Sequence, residues 1–150
     1  MAAAAALAWA APPSVAQAPR SNQWLADCKG ESGSACGVSV LVDPGRATPD
    51  LFLISVAVGT GALSIYSPTG AQVTQLRVDN KPSVGVDHCV RGTCTMPASR
   101  SGDFLAEMLQ GGRLTVEFKP QGDGILLPLV VSLDGFAARY AEAQNRQASR

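Results

Sequence analysis

From residue 24 to residue 131 the chain falls into short runs in which apolar and polar positions alternate, as they do in strands with one buried face. Trp24, Ala26 and Cys28 share one face of a first strand. After the loop Gly30-Glu31-Ser32-Gly33-Ser34, Cys36, Val38, Val40 and Val42 share one face of a second, and the two form a hairpin that Asp43-Pro44-Gly45 ends. Leu51 to Val58 is a nearly unbroken apolar run, which predicts a strand covered on both sides at the centre of a sheet. Gly59 to Gly61 breaks it, Leu63 and Ile65 predict a short strand, and Pro68-Thr69-Gly70 has the make-up of a tight turn. Thr74, Leu76 and Val78 alternate with Gln75, Arg77 and Asp79 before Asp79-Asn80-Lys81-Pro82 turns the chain. Val84, Val86 and His88 then share one face leading into Cys89, and Arg91-Gly92 reverses the direction before Cys94.

Two segments change to the helical period. Phe104, Leu105, Met108 and Leu109 fall on one side of a helix that Ser101 is placed to cap and that Gly111-Gly112 can stop in the left-handed conformation. A strand follows, with Leu114, Val116 and Phe118 on one face and Arg113, Thr115, Glu117 and Lys119 on the other. Gln121-Gly122-Asp123-Gly124 predicts a hairpin turn into Ile125 to Val131, where Pro128 lacks a ladder N–H and therefore marks a sheet edge or a bulge. Leu133, Phe136, Ala137 and Tyr140 recur at helical spacing in a last element, capped by Ser132 and fraying after Ala143. The whole pattern predicts a mainly β fold: an antiparallel β-sandwich or partly closed barrel with one or two short helices, including a C-terminal helix.

The first residues stand apart from this pattern. An alanine-rich apolar start closes on Ala16-Gln17-Ala18, the small-x-small form of an export cleavage site, although no Lys or Arg supplies a positive n-region. Pro12, Pro13 and Ser14 limit its apolar part to about ten residues, where a membrane span needs about twenty. Residues 1–18 are accordingly expected to be a signal peptide, and residues 19–150 a single domain without a transmembrane segment. Lys and Arg total 12 against 12 Asp and Glu, the leader has no ionisable side chain, and aromatic residues make up only 5%. With no basic stripe and few stacking rings, the composition argues against nucleic acid or an anionic membrane surface as partner.

Export makes oxidation the stable fate of Cys28, Cys36, Cys89 and Cys94. Four cysteines allow three pairings. The local one, Cys28 with Cys36 and Cys89 with Cys94, is expected because each couple flanks a turn, and a crossed connectivity stays open. Structural zinc favours C-x(2 to 4)-C couples on both sides and the first couple is spaced too widely; neither couple has the C-x-x-C form of a thiol exchanger. His88 is the only histidine, so any Ser-His-Asp or metal-histidine chemistry must pass through it, yet no G-x-S-x-G or H-E-x-x-H occurs, and Asp87 beside it points to the opposite strand face. No G-K-[ST] accompanies Gly111-Gly112, and Asp43, Asp50, Asp79, Asp103 and Asp123 are scattered over separate turns. Neither a cofactor nor a metal is expected.

The order of features does resemble a known family. A tryptophan before a cysteine couple, an apolar strand ending in glycine, a second couple, a helix ending in glycine and a terminal Ser132-Leu133-Asp134-Gly135-Phe136-Ala137 together resemble the invasion-associated locus B family of exported bacterial proteins. Gly112-Arg113-Leu114-Thr115-Val116, Leu127-Pro128-Leu129, Pro68-Thr69-Gly70 and Leu76-Arg77-Val78-Asp79 extend the likeness from about Trp24 to Ala143, while Val56-Ala57-Val58-Gly59 and Thr93 depart from the family pattern. The resemblance implies a periplasmic or surface-associated protein of the cell envelope, linked in some pathogens to host-cell invasion and virulence, with no established catalytic site.

The expected function is therefore non-enzymatic binding of a protein or envelope component. Two alternatives remain beside it: a periplasmic small-molecule carrier, which an interior apolar pocket of several hundred cubic ångströms would favour, and a hydrolase built around His88.

Overall fold

The computed structural model describes residues 23–29, 35–43, 51–86, 88–120 and 125–149. Among these residues ten strands and two helices follow one another as β1 (Leu25–Lys29), β2 (Ala35–Val42), β3 (Phe52–Ala57), β4 (Leu63–Tyr66), β5 (Gln72–Val78), β6 (Val84–Gly85), β7 (His88–Val90), β8 (Thr93–Thr95), α1 (Ala98–Gln110), β9 (Arg113–Lys119), β10 (Leu127–Ser132) and α2 (Phe136–Ala148). The strands form two antiparallel sheets, one ordered β1-β2-β3-β4-β8-β7 and the other β10-β9-β5-β6. The mainly β sandwich with a C-terminal helix is thus the observed architecture.

The alternation explains the core. Val38, Val40 and Val42 of β2 and Phe52, Ile54 and Val56 of β3 turn inward from the six-stranded sheet, while Leu114, Val116 and Phe118 of β9 face them from the other. The Phe52 and Phe118 rings meet edge to face with centroids 4.7 Å apart, which fixes the face-to-face packing of the two sheets. β3 is the third of six strands, as its apolar run predicts, but it is not covered on both sides: Leu53, Ser55 and Ala57 are only half-buried on the outer face.

At one side the sheets share chain. β6 pairs with β5 in the smaller sheet, the Val86 N–H donates to the Thr74 carbonyl at 2.9 Å, and the chain then enters β7 at the edge of the larger sheet. Val86 is buried and His88 exposed, so the single face expected for Val84, Val86 and His88 is broken where the chain changes sheets. A bulge between Val73 and Gln75 lets both Val73 and Leu76 point inward, which removes Thr74 from the face expected for it.

At the opposite side, between edge strands β1 and β10, the sandwich is closed by side chains and a helix. The Trp24 indole N–H donates to the Ser132 carbonyl at 2.8 Å, and its ring meets Phe136 at 4.8 Å. α2 packs on β1 and β2 with Phe136, Tyr140 and Ala143 buried. It continues to Ala148 instead of fraying after Ala143, because the Gln147 side chain accepts the Cys36 N–H at 3.2 Å and Glu142 pairs with Arg139 and Arg146. Those two guanidinium groups hold the Glu142 carboxyl below the usual carboxylate range, chiefly through the Arg139 hydrogen bond.

The helix ends differ from expectation in three places. α1 starts at Ala98 after Pro97, and Ser101 is buried one turn in, its hydroxyl donating back to the Pro97 carbonyl at 3.1 Å. α2 starts after Gly135, so Ser132 is no cap; its oxygen accepts the Asp134 N–H at 3.1 Å and closes a turn. Gly111 is extended, with φ −88°, and is glycine for lack of room: a Cβ there would stand 2.4 Å from Val78 Cγ1. Gly111→Ala is therefore expected to cost about 1–3 kcal/mol, through overpacking and not through lost backbone freedom, and a shift in the urea midpoint measures it. The expected signal peptide at 1–18, the loop 30–34, Pro44, Gly45, Asp50, Asp87, Asp123 and the turn at 121–124 lie outside the described residues.

Candidate functional site

The two hairpins place the cysteines directly opposite one another. Cys28 faces Cys36 and Cys89 faces Cys94 in register, and each couple is joined in a disulfide, with Cα atoms 3.9 and 4.0 Å apart. The second hairpin turns through Arg91 and Gly92, both at positive φ, as a two-residue loop requires. One bond joins β1 to β2 and the other β8 to β7, so the disulfides clamp the outermost strand pair at each edge of the six-stranded sheet. All four sulfurs are thereby consumed, and no cluster of metal-ligating side chains occurs among the described residues. The bonds place the folded protein in an oxidising compartment. No described helix is long and apolar enough to cross a membrane.

The outer face of this clamped sheet carries a row that strand register assembles from six separate segments. Leu25 pairs with Ser39, Ser39 with Ser55, Ser55 with Ser64, Ser64 with Thr95, and Thr95 with His88. The four hydroxyls are half-buried, and none makes a hydrogen bond to another described residue. Two residues further along the strands runs a second row, Leu41, Leu53, Tyr66, Thr93 and Val90. No described element packs over it: Leu41, Tyr66 and Val90 are 48%, 43% and 54% exposed.

Between the hydroxyls and the β1 end the face sinks into a groove of about 350 Å³, lined by Ser39, Ser55, Ser64 and Leu53 and reaching Asp27 and Lys29. Its floor is low because Gly37 and Ala57, paired across β2 and β3, have little or no side chain. A Cβ on Gly37 would lie 2.8 Å from the Val56 carbonyl oxygen, so the residue that keeps the floor clear also lets β2 and β3 approach. Among the described lining residues one cation and one anion flank the groove, and the others are neutral.

His88 stands at the far end of the hydroxyl row, exposed on β7 and opposite Thr95. Its side chain makes no hydrogen bond or ion pair with a described residue, so among the described residues no acid orients its ring for base catalysis. A broader concavity of about 940 Å³ lies on the outer face of the smaller sheet, between Arg77, Arg113, Thr115 and Ser132. Its Asp79 carboxylate is already engaged: it accepts the Arg113 N–H at 2.9 Å and the Gly112 N–H at 3.2 Å, and so ties the turn after α1 to the end of β5. The grooves described open on the outside, while the space between the sheets is filled by contacts such as that of Phe52 with Phe118.

Sequence reasoning found the disulfide cysteines and missed the hydroxyl row. A signal for it exists in hindsight. Each member sits between two inward-facing residues, Ser39 between Val38 and Val40, Ser55 between Ile54 and Val56, Ser64 between Leu63 and Ile65, and Thr95 between Cys94 and Met96. Small polar residues at the outward positions of otherwise apolar strands mark an exposed face, but only register shows that they align.

The structure defines a class: a two-sheet antiparallel sandwich whose larger sheet is disulfide-clamped at both edges and presents an open, neutral face. Comparisons with protein-family models, curated proteins and solved structures each find no match.

Proposed function

We propose that this is an exported protein of the cell envelope, of the invasion-associated locus B type, that acts by binding through the outer face of its six-stranded sheet and not by catalysis. The observation that carries the reading is that face itself: four hydroxyls that no described residue engages and a parallel apolar row that no described element covers, on the sheet that both disulfides stiffen. Half-buried hydroxyls that no described residue engages stay accessible from outside, where a ligand can both donate to them and accept from them. A periplasmic or secreted location is supported by the disulfides together with the Ala16-Gln17-Ala18 site.

The experiment is a comparison of oxidised protein with Ser55→Tyr as baits in envelope extract, with the N-terminus of the exported protein sequenced in parallel. The Ser55 side chain points outward and makes no hydrogen bond to a described residue, so tyrosine there fills the groove without touching the core. We expect a component retained by the parent protein and lost by Ser55→Tyr, and a mature chain starting at residue 19. Equal retention by both baits would refute binding through this face.

A further inference from the structure

We infer that the groove on the six-stranded sheet is a site for a neutral carbohydrate chain lying across the strands. The inference rests on the binding role proposed above and names the chemistry of its ligand.

The row is the first ground. Ser39, Ser55, Ser64 and Thr95 stand on four adjacent strands, so their hydroxyls repeat at the strand spacing of about 4.8 Å and cover roughly 14 Å. Each hydroxyl offers one donor and two acceptor positions, and none is spent on a described residue. A periodic line of groups that both donate and accept suits a ligand that does the same along its length. Sugars are such ligands.

The second ground is the parallel apolar row, which begins one pleat repeat away along the strands. Leu53 lines the groove, and Tyr66 stands next to it on β4 with its ring partly in solvent. A pyranose ring has hydroxyls around its rim and a C–H face, and the two rows together present a partner for each.

Charge is the third. Ser39, Ser55, Ser64 and Thr95 carry no charge, and the charged residues in the described lining of the groove, Asp27 and Lys29, are of opposite sign. A phosphorylated or sulfated ligand would find no guanidinium fork here. An extended peptide would pair its backbone with a sheet edge, whereas these groups lie on a face. A lipid chain would leave the hydroxyls unpaired. The groove volume of about 350 Å³ is near the lower end for small-molecule sites, consistent with a trough that holds a few rings of a longer chain.

The test titrates the oxidised protein with chitotetraose, cellotetraose and maltotetraose, and with a sulfated oligosaccharide of equal length, by calorimetry at low and high salt. At least one neutral tetrasaccharide is expected to bind, with an affinity that changes less than twofold on raising the salt. The double variant Ser55→Ala, Ser64→Ala is expected to bind at least tenfold more weakly and Tyr66→Ala about fivefold more weakly, with thermal unfolding unchanged because these side chains face outward. Absence of binding to all three neutral probes, unaltered affinity in the double variant, or binding confined to the sulfated chain at low salt overturns the inference. If these fail while Ser55→Tyr still abolishes capture from envelope extract, the carbohydrate inference falls alone. If capture is also unaffected, the binding role falls with it.

Discussion

Trp24→Ala is expected to lower unfolding free energy by about 3–5 kcal/mol, against a margin of about 5–15 kcal/mol for a domain of this kind. Two losses combine. The indole is 1% exposed and packs edge-on against Phe136, so truncation leaves a cavity where β1, β10 and α2 meet. The Ser132 carbonyl also loses the 2.8 Å hydrogen bond that ties the two sheets across their open side. Trp24→Phe separates the two, since it keeps most of the ring and removes the donor, and should cost about 1–3 kcal/mol. Far-UV circular dichroism in a urea titration is the measurement, because the substitution removes the buried tryptophan whose emission would report on this region. A loss below about 1 kcal/mol for the alanine variant would show that α2, and not Trp24, closes this side.

The prominence of Trp24 illustrates what the linear pattern can carry. Alternation identified the inward faces of β2 and β9 residue by residue, because a strand with one buried face imposes a period of two on its own sequence. Pro128 marked β10 as an edge for an equally local reason, the missing N–H, and β10 is indeed the last strand of its sheet. Where a residue's role depends on a distant partner, the pattern fails. Val84 to His88 reads as one face, yet the chain changes sheets there, since β5 captures Val86 and β8 captures His88. Gly111 reads as a left-handed stop, yet what demands glycine is the Val78 side chain on β5. The candidate site is the extreme instance. Ser39, Ser55, Ser64 and Thr95 become a row only through three strand registers, and no local rule assigns those.

Removing both disulfides is the second large perturbation, and it tests the link between stability and the site. In the chain-entropy model, a bond across a separation of 8 contributes about 2.5 kcal/mol and one across 5 about 2 kcal/mol. The bonds sit at opposite edges of one sheet, with β3 and β4 between the strand pairs they join, so the losses should add, to about 4–5 kcal/mol. Cys28→Ala with Cys36→Ala, Cys89→Ala with Cys94→Ala, and the quadruple variant are to be compared by urea unfolding with the oxidised parent. The midpoint should fall most for the quadruple variant, and the m-value should rise as the unfolded chain is freed to expand. A loss of edge pairing also reaches the face, because β1 and β7 carry the two ends of the hydroxyl row, Leu25 and His88. Reduced protein that remains folded should therefore bind more weakly than oxidised protein through Ser55 and Ser64. Unchanged midpoints after full reduction, confirmed by the gain of four hydrogens in the intact mass, would mean that the sandwich holds its edges by packing alone and that the sulfur bridges contribute nothing to the platform.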